Sequence, residues 1–415
     1  MHCTRVYCLI PSRPDKRSVM PKRILLVTFF YPPDLSAGSF RARALVGALR
    51  AHAGDTVQVD VLTTQPNRYH EHASETQVFE SGDGVRVRRI RLPAHRSGFR
   101  DQAVAFVSFA WQATRYARDE RYDLVVATSS RLMTAVLGAW IAYRQGARLY
   151  LDIRDIFVEN LGELFSPPVS SILRTGFGAL ERWAVRRADK VNLVTVGFLG
   201  YFQPKYPKRQ FSHFTNGVDD DFLEFPLHGC RDQSKERPLQ VLYAGNVGDG
   251  QGLHRIVPEL ARRLGDEVQF RVVGAGSRLE VLREAITASG LNNVELVEPV
   301  AREQLLDLYR QADVLFLHLN DFRAFRRVLP SKVFEYAATG KPVWAGVGGY
   351  AAEFIRSEIA NAAVFAPCDS AGAIAALRRL KLGQTPRPEF IARFARSRIM
   401  RVMAADVLEL VESTD

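Results

Sequence analysis

Cysteine is scarce in this chain. Four cysteines stand at positions 3, 8, 230 and 368, with no CxxC spacing among them. That excludes a disulfide framework and a structural zinc site, and it fits a reducing compartment. Long hydrophobic runs are missing too. The most apolar stretch, 132–143, falls short of the roughly 20 residues that span a bilayer. The opening MHCTRVYCLIPSRPDKRSV lacks the apolar core and small-residue cleavage site of a signal peptide. Residues 1–21 are therefore expected to be a disordered arm or a start artefact. No HExxH, CxxC, Walker A or GxSxG pattern occurs, and the histidines are scattered, so no metal site is expected. The basic residues are not interleaved with stacking aromatics in a recognised module, which argues against a nucleic-acid partner.

What is present is charge of one sign in one half. The net charge is +11 over 415 residues. Residues 1–228 hold 31 Lys and Arg against 22 Asp and Glu, a net of +9; residues 229–415 hold 25 against 23, a net of +2. A basic first half favours an anionic partner. The arginines of 84–92 and the aromatic-rich helix at 103–118 are the places to look for one.

Strands and helices alternate along the chain. Segments at 23–30, 56–64, 123–129, 148–153 and 190–196 read as strands, 84–92 alternates basic and apolar residues as a half-exposed strand does, and helices are expected at 39–50, 103–118, 132–143 and 169–187. The pattern restarts near 239, with strands at 239–245, 268–276, 293–300, 313–319, 342–347 and 361–367. Repeated βα units imply parallel strands with right-handed crossovers. The expected fold is α/β, with two doubly wound Rossmann-like domains facing across a cleft. The first domain is placed at 22–228 and the second at 229–385, with a linker around 225–238. The last segment, 386–415, is expected to be a helix packing back toward the first domain. In open sheets of this kind ligands sit beyond the carboxyl ends of the strands.

The motifs cluster where that rule puts them. YAGNVGDGQGL, at 243–253, leaves a strand and enters a helix; its glycines at 245, 248, 250 and 252 suit close approach to a ligand or a plain flexible turn. VVGAGSRLE carries Gly274 and Gly276, but Leu279 stands where a dinucleotide fingerprint has its third glycine, and Glu295 and Glu298 fit its acidic partner poorly. FYPPDLSAGSFRAR sets Gly38 and Ser39 at a helix start, with Arg41 and Arg43 in the first turns. Arginines there oppose the helix dipole, so either an anion compensates them or they are solvated. LDIRDIFVEN places Asp152, Arg154, Asp155 and Glu159 after a strand, as acid/base candidates or as a local ion-pair cluster.

The ordered set ILLVTFFYPPDLSAGSFRA, TTQPNRY, LDIRDIFVEN, TNGVD, VLYAGNVGDGQGL and VLPSKVFEYAATGKPV resembles glycosyltransferase family 4 with the GT-B fold, in the branch that builds bacterial surface polysaccharides. The resemblance covers nearly all of 22–411. It implies that the second domain binds the donor nucleotide sugar. Glu335 would hold the ribose hydroxyls and Lys332 would neutralise the diphosphate, helped by the amides near Ser331. Gly245, Asn246, Gly248, Gly274, Gly276, Arg326, Arg327, Pro330 and Ser331 complete the implied donor site. Gly38, Ser39, Arg41 and Arg154 form the acceptor-side loop, and Asp155 and Glu159 match positions of that branch as further catalytic candidates. The chain departs from the family at two points. Many members have two glutamates separated by seven residues, but eight positions before Glu335 stands Arg327, and Asp249 replaces a basic residue after the first glycine loop.

The family generally transfers sugar with retention and without metal or cofactor, the leaving phosphate taking the acceptor's proton. The resemblance thus implies a nucleotide-diphosphate sugar as substrate and a polyprenyl-diphosphate-linked glycan as acceptor. It also implies a peripheral position at the inner face of the cytoplasmic membrane, with the basic first domain against anionic lipid. A nucleotide-sugar epimerase of the same fold, or a non-catalytic nucleotide-sugar-binding assembly protein, is the alternative.

Overall fold

The computed structural model describes residues 21–34, 36–66, 77–93, 99–129, 131–223 and 237–412. The N-terminal arm and most of the linker at 225–238 lie outside them, as do Cys3, Cys8 and Cys230.

Among the described residues the first sheet has seven strands: β1 (Lys22–Val27), β2 (Val57–Thr64), β3 (Phe79–Gly82), β4 (Val85–Ile90), β5 (Leu124–Ser129), β6 (Arg148–Ile153) and β7 (Lys190–Leu193). Their spatial order is β3-β4-β2-β1-β5-β6-β7, parallel throughout except for β3 against β4. The second sheet has six strands: β8 (Leu239–Ala244), β9 (Val268–Val273), β10 (Val294–Val297), β11 (Val314–His318), β12 (Val343–Gly346) and β13 (Ala362–Phe365). It runs β10-β9-β8-β11-β12-β13, all parallel. The strands that read as unbroken apolar runs, such as β1 and β5, are those covered by helices on both faces. Edge strand β3 was not expected; FESG has neither the length nor the alternation that marks a strand, and only pairing with β4 holds it.

In each sheet the strand order reverses beside the first strand, between β1 and β5 and between β8 and β11. A crevice opens at such a reversal, and the two crevices face each other. The chain crosses between domains near Val218 and again near Ala395, and these two residues form a bridge with Val218 N–H donating to Phe394 O at 2.7 Å. The final helix, Arg396–Glu412, returns to the first domain. Met400, Met403, Ala404 and Val407 are buried there with Ala42, Leu45 and Leu49 of helix Ala37–Ala53.

Candidate active site

One pocket is lined from both domains. Its volume is about 200 Å³. The first domain contributes Ser36, Ala37 and Phe40, the start of helix Ala37–Ala53. The second contributes the ends of β8 and β9 at Gly245 and Gly274, together with Arg302, Tyr309, Ser331, Lys332 and Glu335.

Lys332 opens helix Lys332–Ala338 and reaches back to the end of β8. Its ammonium donates to Ala244 O at 2.7 Å and lies 4.1 Å from the centroid of the Tyr243 ring. Gly274 is required by space, since a Cβ there would lie 1.8 Å from the backbone oxygen of Gly245, whereas a Cβ on Gly245 would displace the Lys332 ammonium, 2.2 Å away. The φ angles of 142° at Gly245 and 147° at Gly274 are also ones that side chains rarely adopt.

Glu335 stands one turn beyond Lys332. It accepts from Tyr309 Oη at 3.2 Å, and Arg302 Nη1 lies 3.5 Å away. Arg302 also pairs with Asp219 at 3.2 Å and Asp221 at 3.1 Å. Burial pulls the Arg302 guanidinium down, but the carboxylates of Glu335, Asp219 and Asp221 outweigh it and leave its pKa raised. Burial, with the Glu335 charge beside it, holds the Tyr309 hydroxyl well above its ordinary value, so it stays a donor. Tyr336 fixes the loop from beneath, its hydroxyl accepting from Ala244 N at 3.2 Å.

Opposite stands the positive end of the 17-residue helix Ala37–Ala53, capped by Ser36, whose Oγ accepts from Ser39 N at 3.2 Å. A carboxylate able to bridge a diol, an ammonium and a helix N-terminus thus converge on one space. This suits a ligand that joins vicinal hydroxyls to an anion.

Residues 38–209 match the family described as glycosyl transferase 4-like domain, and residues 231–398 match glycosyl transferases group 1. The chain thus carries a glycosyl transferase 4-like domain followed by a glycosyl transferases group 1 domain. The chain is 29% identical over 165 residues to a UDP-N-acetylglucosamine–N-acetylmuramyl-(pentapeptide) pyrophosphoryl-undecaprenol N-acetylglucosamine transferase of Serratia proteamaculans, covering 37% of the chain and 44% of the relative. It is 26% identical over 235 residues to the putative colanic acid biosynthesis glycosyl transferase WcaI of Escherichia coli, covering 52% and 56%. The chain spans about half the length of the curated relatives it matches. Among solved structures, the lipopolysaccharide outer core galactosyltransferase WaaB shares the GT-B fold at TM-score 0.59 and 12% identity, with 95% of this chain and 100% of that one covered. WaaG, a glycosyltransferase involved in lipopolysaccharide biosynthesis, does so at 0.59 and 16%, with 94% and 98% covered.

Other sequence-predicted residues sit elsewhere. Arg41 is buried and does not open onto the pocket. It makes a two-pronged ion pair with Asp152, at 2.9 Å from Nε and 2.9 Å from Nη2, and donates to Thr215 O and Phe214 O. Asp152 is the anion that compensates this arginine at a helix start. Ser39 is buried too. Gly38 faces Arg154, whose Nη1 would lie 3.0 Å from a Cβ there, and Arg154 donates to Asn216 at 3.2 Å. Asp155 turns back on its own segment just before helix Phe157–Leu164, accepting from Ile156 N at 2.8 Å and from Asn160 Nδ2 at 3.3 Å, and burial raises its carboxyl pKa. Glu159 pairs with Arg327 at 3.2 Å across the domains. Arg326 is exposed and pairs with Asp321 at 3.4 Å.

The first glycine loop folds on itself rather than over the pocket. Asn246 donates to Gln251 Oε1 at 2.7 Å, and a Cβ on Gly248 would strike Asn246. Gly250 packs on Phe325, and Gly252 on Asn320. Gly276 lies against the Val247 backbone. The start of helix Lys332–Ala338 offers less than expected, since Val333 N–H bonds Pro330 O and Phe334 N–H bonds Ser331 O. The positive helix end at the pocket belongs to the first domain instead.

Arg302 and Tyr309 were missed. A signal for Arg302 existed: it opens helix Arg302–Gln311, where a cation opposes the dipole. As at Arg41, a cation in that position calls for anionic partners, here Glu335, Asp219 and Asp221.

Proposed function

We propose that this protein transfers a sugar from a nucleotide-diphosphate sugar to a lipid-linked glycan in surface-polysaccharide synthesis, with retention and without a metal. The observation that carries this reading is the meeting of Glu335 and Lys332 with the Ser36–Ala37 helix start in one pocket. Glu335 would accept from the ribose diol once the donor displaces Arg302 or Tyr309. Lys332 and the amides of Ala37 and Gly38 would face the diphosphate and stabilise charge as the sugar–phosphate bond breaks. Its volume of about 200 Å³ is below the roughly 300–1,000 Å³ of most small-molecule sites. It would therefore take the ribose-diphosphate portion, the sugar and base extending along the cleft. Transfer with retention then follows from the leaving phosphate accepting the acceptor's proton on the same face. In this scheme catalysis rests on positioning and charge stabilisation rather than on a separate base.

The acceptor's lipid calls for a membrane-facing surface. Among the described residues no helix is long and apolar enough to cross a membrane. Two of the strand arginines are held by carboxylates. Arg86 pairs with Asp60 at 2.6 Å, and buried Arg89 pairs with Glu80 at 3.3 Å and donates to Pro32 O at 2.6 Å. Instead, helices Phe99–Arg118 and Leu132–Gln145 leave an apolar groove of about 660 Å³ between them. Val107 is 67% exposed and Trp111 65%, and Arg115 and Arg144 stand over Trp111 and Trp140. Phe106 and Phe109 of the same helix belong to the core. Exposed tryptophans flanked by arginines suit an interfacial position on anionic lipid.

A thermal-shift panel of UDP-, GDP-, ADP- and dTDP-sugars tests the donor site, because a ligand of the native state raises the melting temperature. Glu335→Ala should abolish the shift given by the best donor, and a full shift in that variant would refute the site. Incubation of that donor with lipid extract should give a glycosylated lipid whose anomeric configuration, read by NMR, matches the donor, with chelator present or absent. Isomerised donor without an acceptor would mark an epimerase, and binding without turnover an assembly protein.

A further inference from the structure

Arg327 and Glu159 meet across the two domains, Nε to Oε2 at 3.2 Å, with the Glu159 side chain only 12% exposed. The contact is built on both sides. A Cβ on Gly200 would lie 2.7 Å from Arg327 Nη1, and one on Gly197 would lie 2.3 Å from Arg327 O. Two first-domain glycines thus make room for this one residue. The next residue, Val328, packs against the first domain's core. Four residues later Lys332 holds the end of β8 through Ala244 O. The segment 327–332 is therefore a strap of the second domain, anchored on the first domain at one end and in the donor pocket at the other.

A partly exposed ion pair adds little to stability by itself, but it fixes geometry wherever its partners belong to different rigid bodies. The strap has few ways to move without disturbing Lys332, because Val333 N–H and Phe334 N–H are bonded within it to Pro330 O and Ser331 O. We propose that Arg327 is a positioning residue: by pairing with Glu159 it sets the strap against the first domain and so holds Lys332 and Glu335 opposite the Ser36–Phe40 helix start in the arrangement that transfer requires. The inference rests on the donor-site reading above. It gives the second domain's arginine, found where the resembling family carries a carboxylate, a partner carboxylate from the other domain rather than a contact with the donor.

The test is a double-mutant cycle of Glu159→Gln, Arg327→Gln and the two together. Hydrogen exchange of residues 323–332, measured without ligand, should rise about tenfold in each single variant and no further in the double. With the nucleotide sugar that gives the largest thermal shift in the panel, each single variant should keep that shift. The rate at which each releases the sugar to water should fall about tenfold, again with no further loss in the double. Exchange unchanged in the single variants, or single effects that multiply in the double, would overturn the pairing. Loss of the thermal shift in Arg327→Gln would overturn it differently, by making Arg327 a donor contact. If no nucleotide sugar shifts the wild type, the donor reading fails while the ligand-free exchange still decides the strap.

Discussion

Lys332 Nζ donates to the carbonyl of Ala244 at 2.7 Å, and the absent side chain of Gly245 is what lets it. Gly245→Ala would set a methyl 2.2 Å from that ammonium, at a φ of 142° that alanine resists. The expected result is a folded protein destabilised by about 1–3 kcal/mol that gives no thermal shift with the best nucleotide sugar. A wild-type shift in that variant would mean that the position of Lys332 does not matter for the donor.

Arg302 holds three carboxylates together, Glu335, Asp219 and Asp221. Arg302→Ala leaves them facing one another in a partly buried site. Stability should fall by roughly 1–3 kcal/mol, read by urea denaturation, and donor affinity should fall with it. Tyr309→Phe removes only the hydrogen bond to Glu335 and should cost donor affinity a few-fold at most.

The buried pair Arg41–Asp152 is structural. Arg41→Leu would leave the Asp152 carboxylate buried with Asn192 as its remaining side-chain hydrogen-bond donor. The expected loss is about 3–5 kcal/mol in chemical denaturation, with donor binding retained at low temperature. A loss of binding with unchanged stability would return Arg41 to the active site.

His318 makes stability depend on pH. Its Nδ1 lies 2.7 Å from Gln251 O, and its Nε2 accepts from Cys368 N at 3.0 Å. A carbonyl only accepts and an amide only donates, so the ring is neutral with its proton on Nδ1. Burial lowers its pKa to about 4. The unfolded chain, with an ordinary value near 6.5, binds a proton that the folded one refuses. Stability should be fully present above about pH 6.5 and decline as pH falls toward 4, by up to roughly 3 kcal/mol. Urea midpoints across that range should show the slope, and His318→Asn should flatten it.

Much of this was legible along the chain, because two kinds of signal are local. Apolar runs such as 123–129 mark strands buried on both faces, and all six read in the second half fall on β8 to β13 within a few residues. Lys332 and Glu335 sit one turn apart on one short helix, so their shared face follows from spacing alone. The errors came from residues whose partners are distant. Arg41 read as a candidate ligand contact because Asp152 was invisible beside it. For Gly248, Gly250 and Gly252 close approach to a ligand and a plain turn stayed equally open, because nothing local says that Asn246, Phe325 and Asn320 fill the space against them. Arg86 and Arg89 read as a lipid-facing strip until pairing with β2 and β3 brought Asp60 and Glu80 against them.

The sequence by itself determined two parallel-sheet domains and a lysine and glutamate on a common helical turn, since both depend on periodicity and on contacts a few residues apart. Only the tertiary structure decided which charges were left to meet a ligand. Burial turned Arg41 and Asp152 into each other's counterions, packing within the second domain put Arg302 on Glu335, and the approach of the two domains put Arg327 on Glu159. The physical reason is that a charge is bound to whatever opposite charge the fold brings within a few ångströms, and a linear chain does not record that distance.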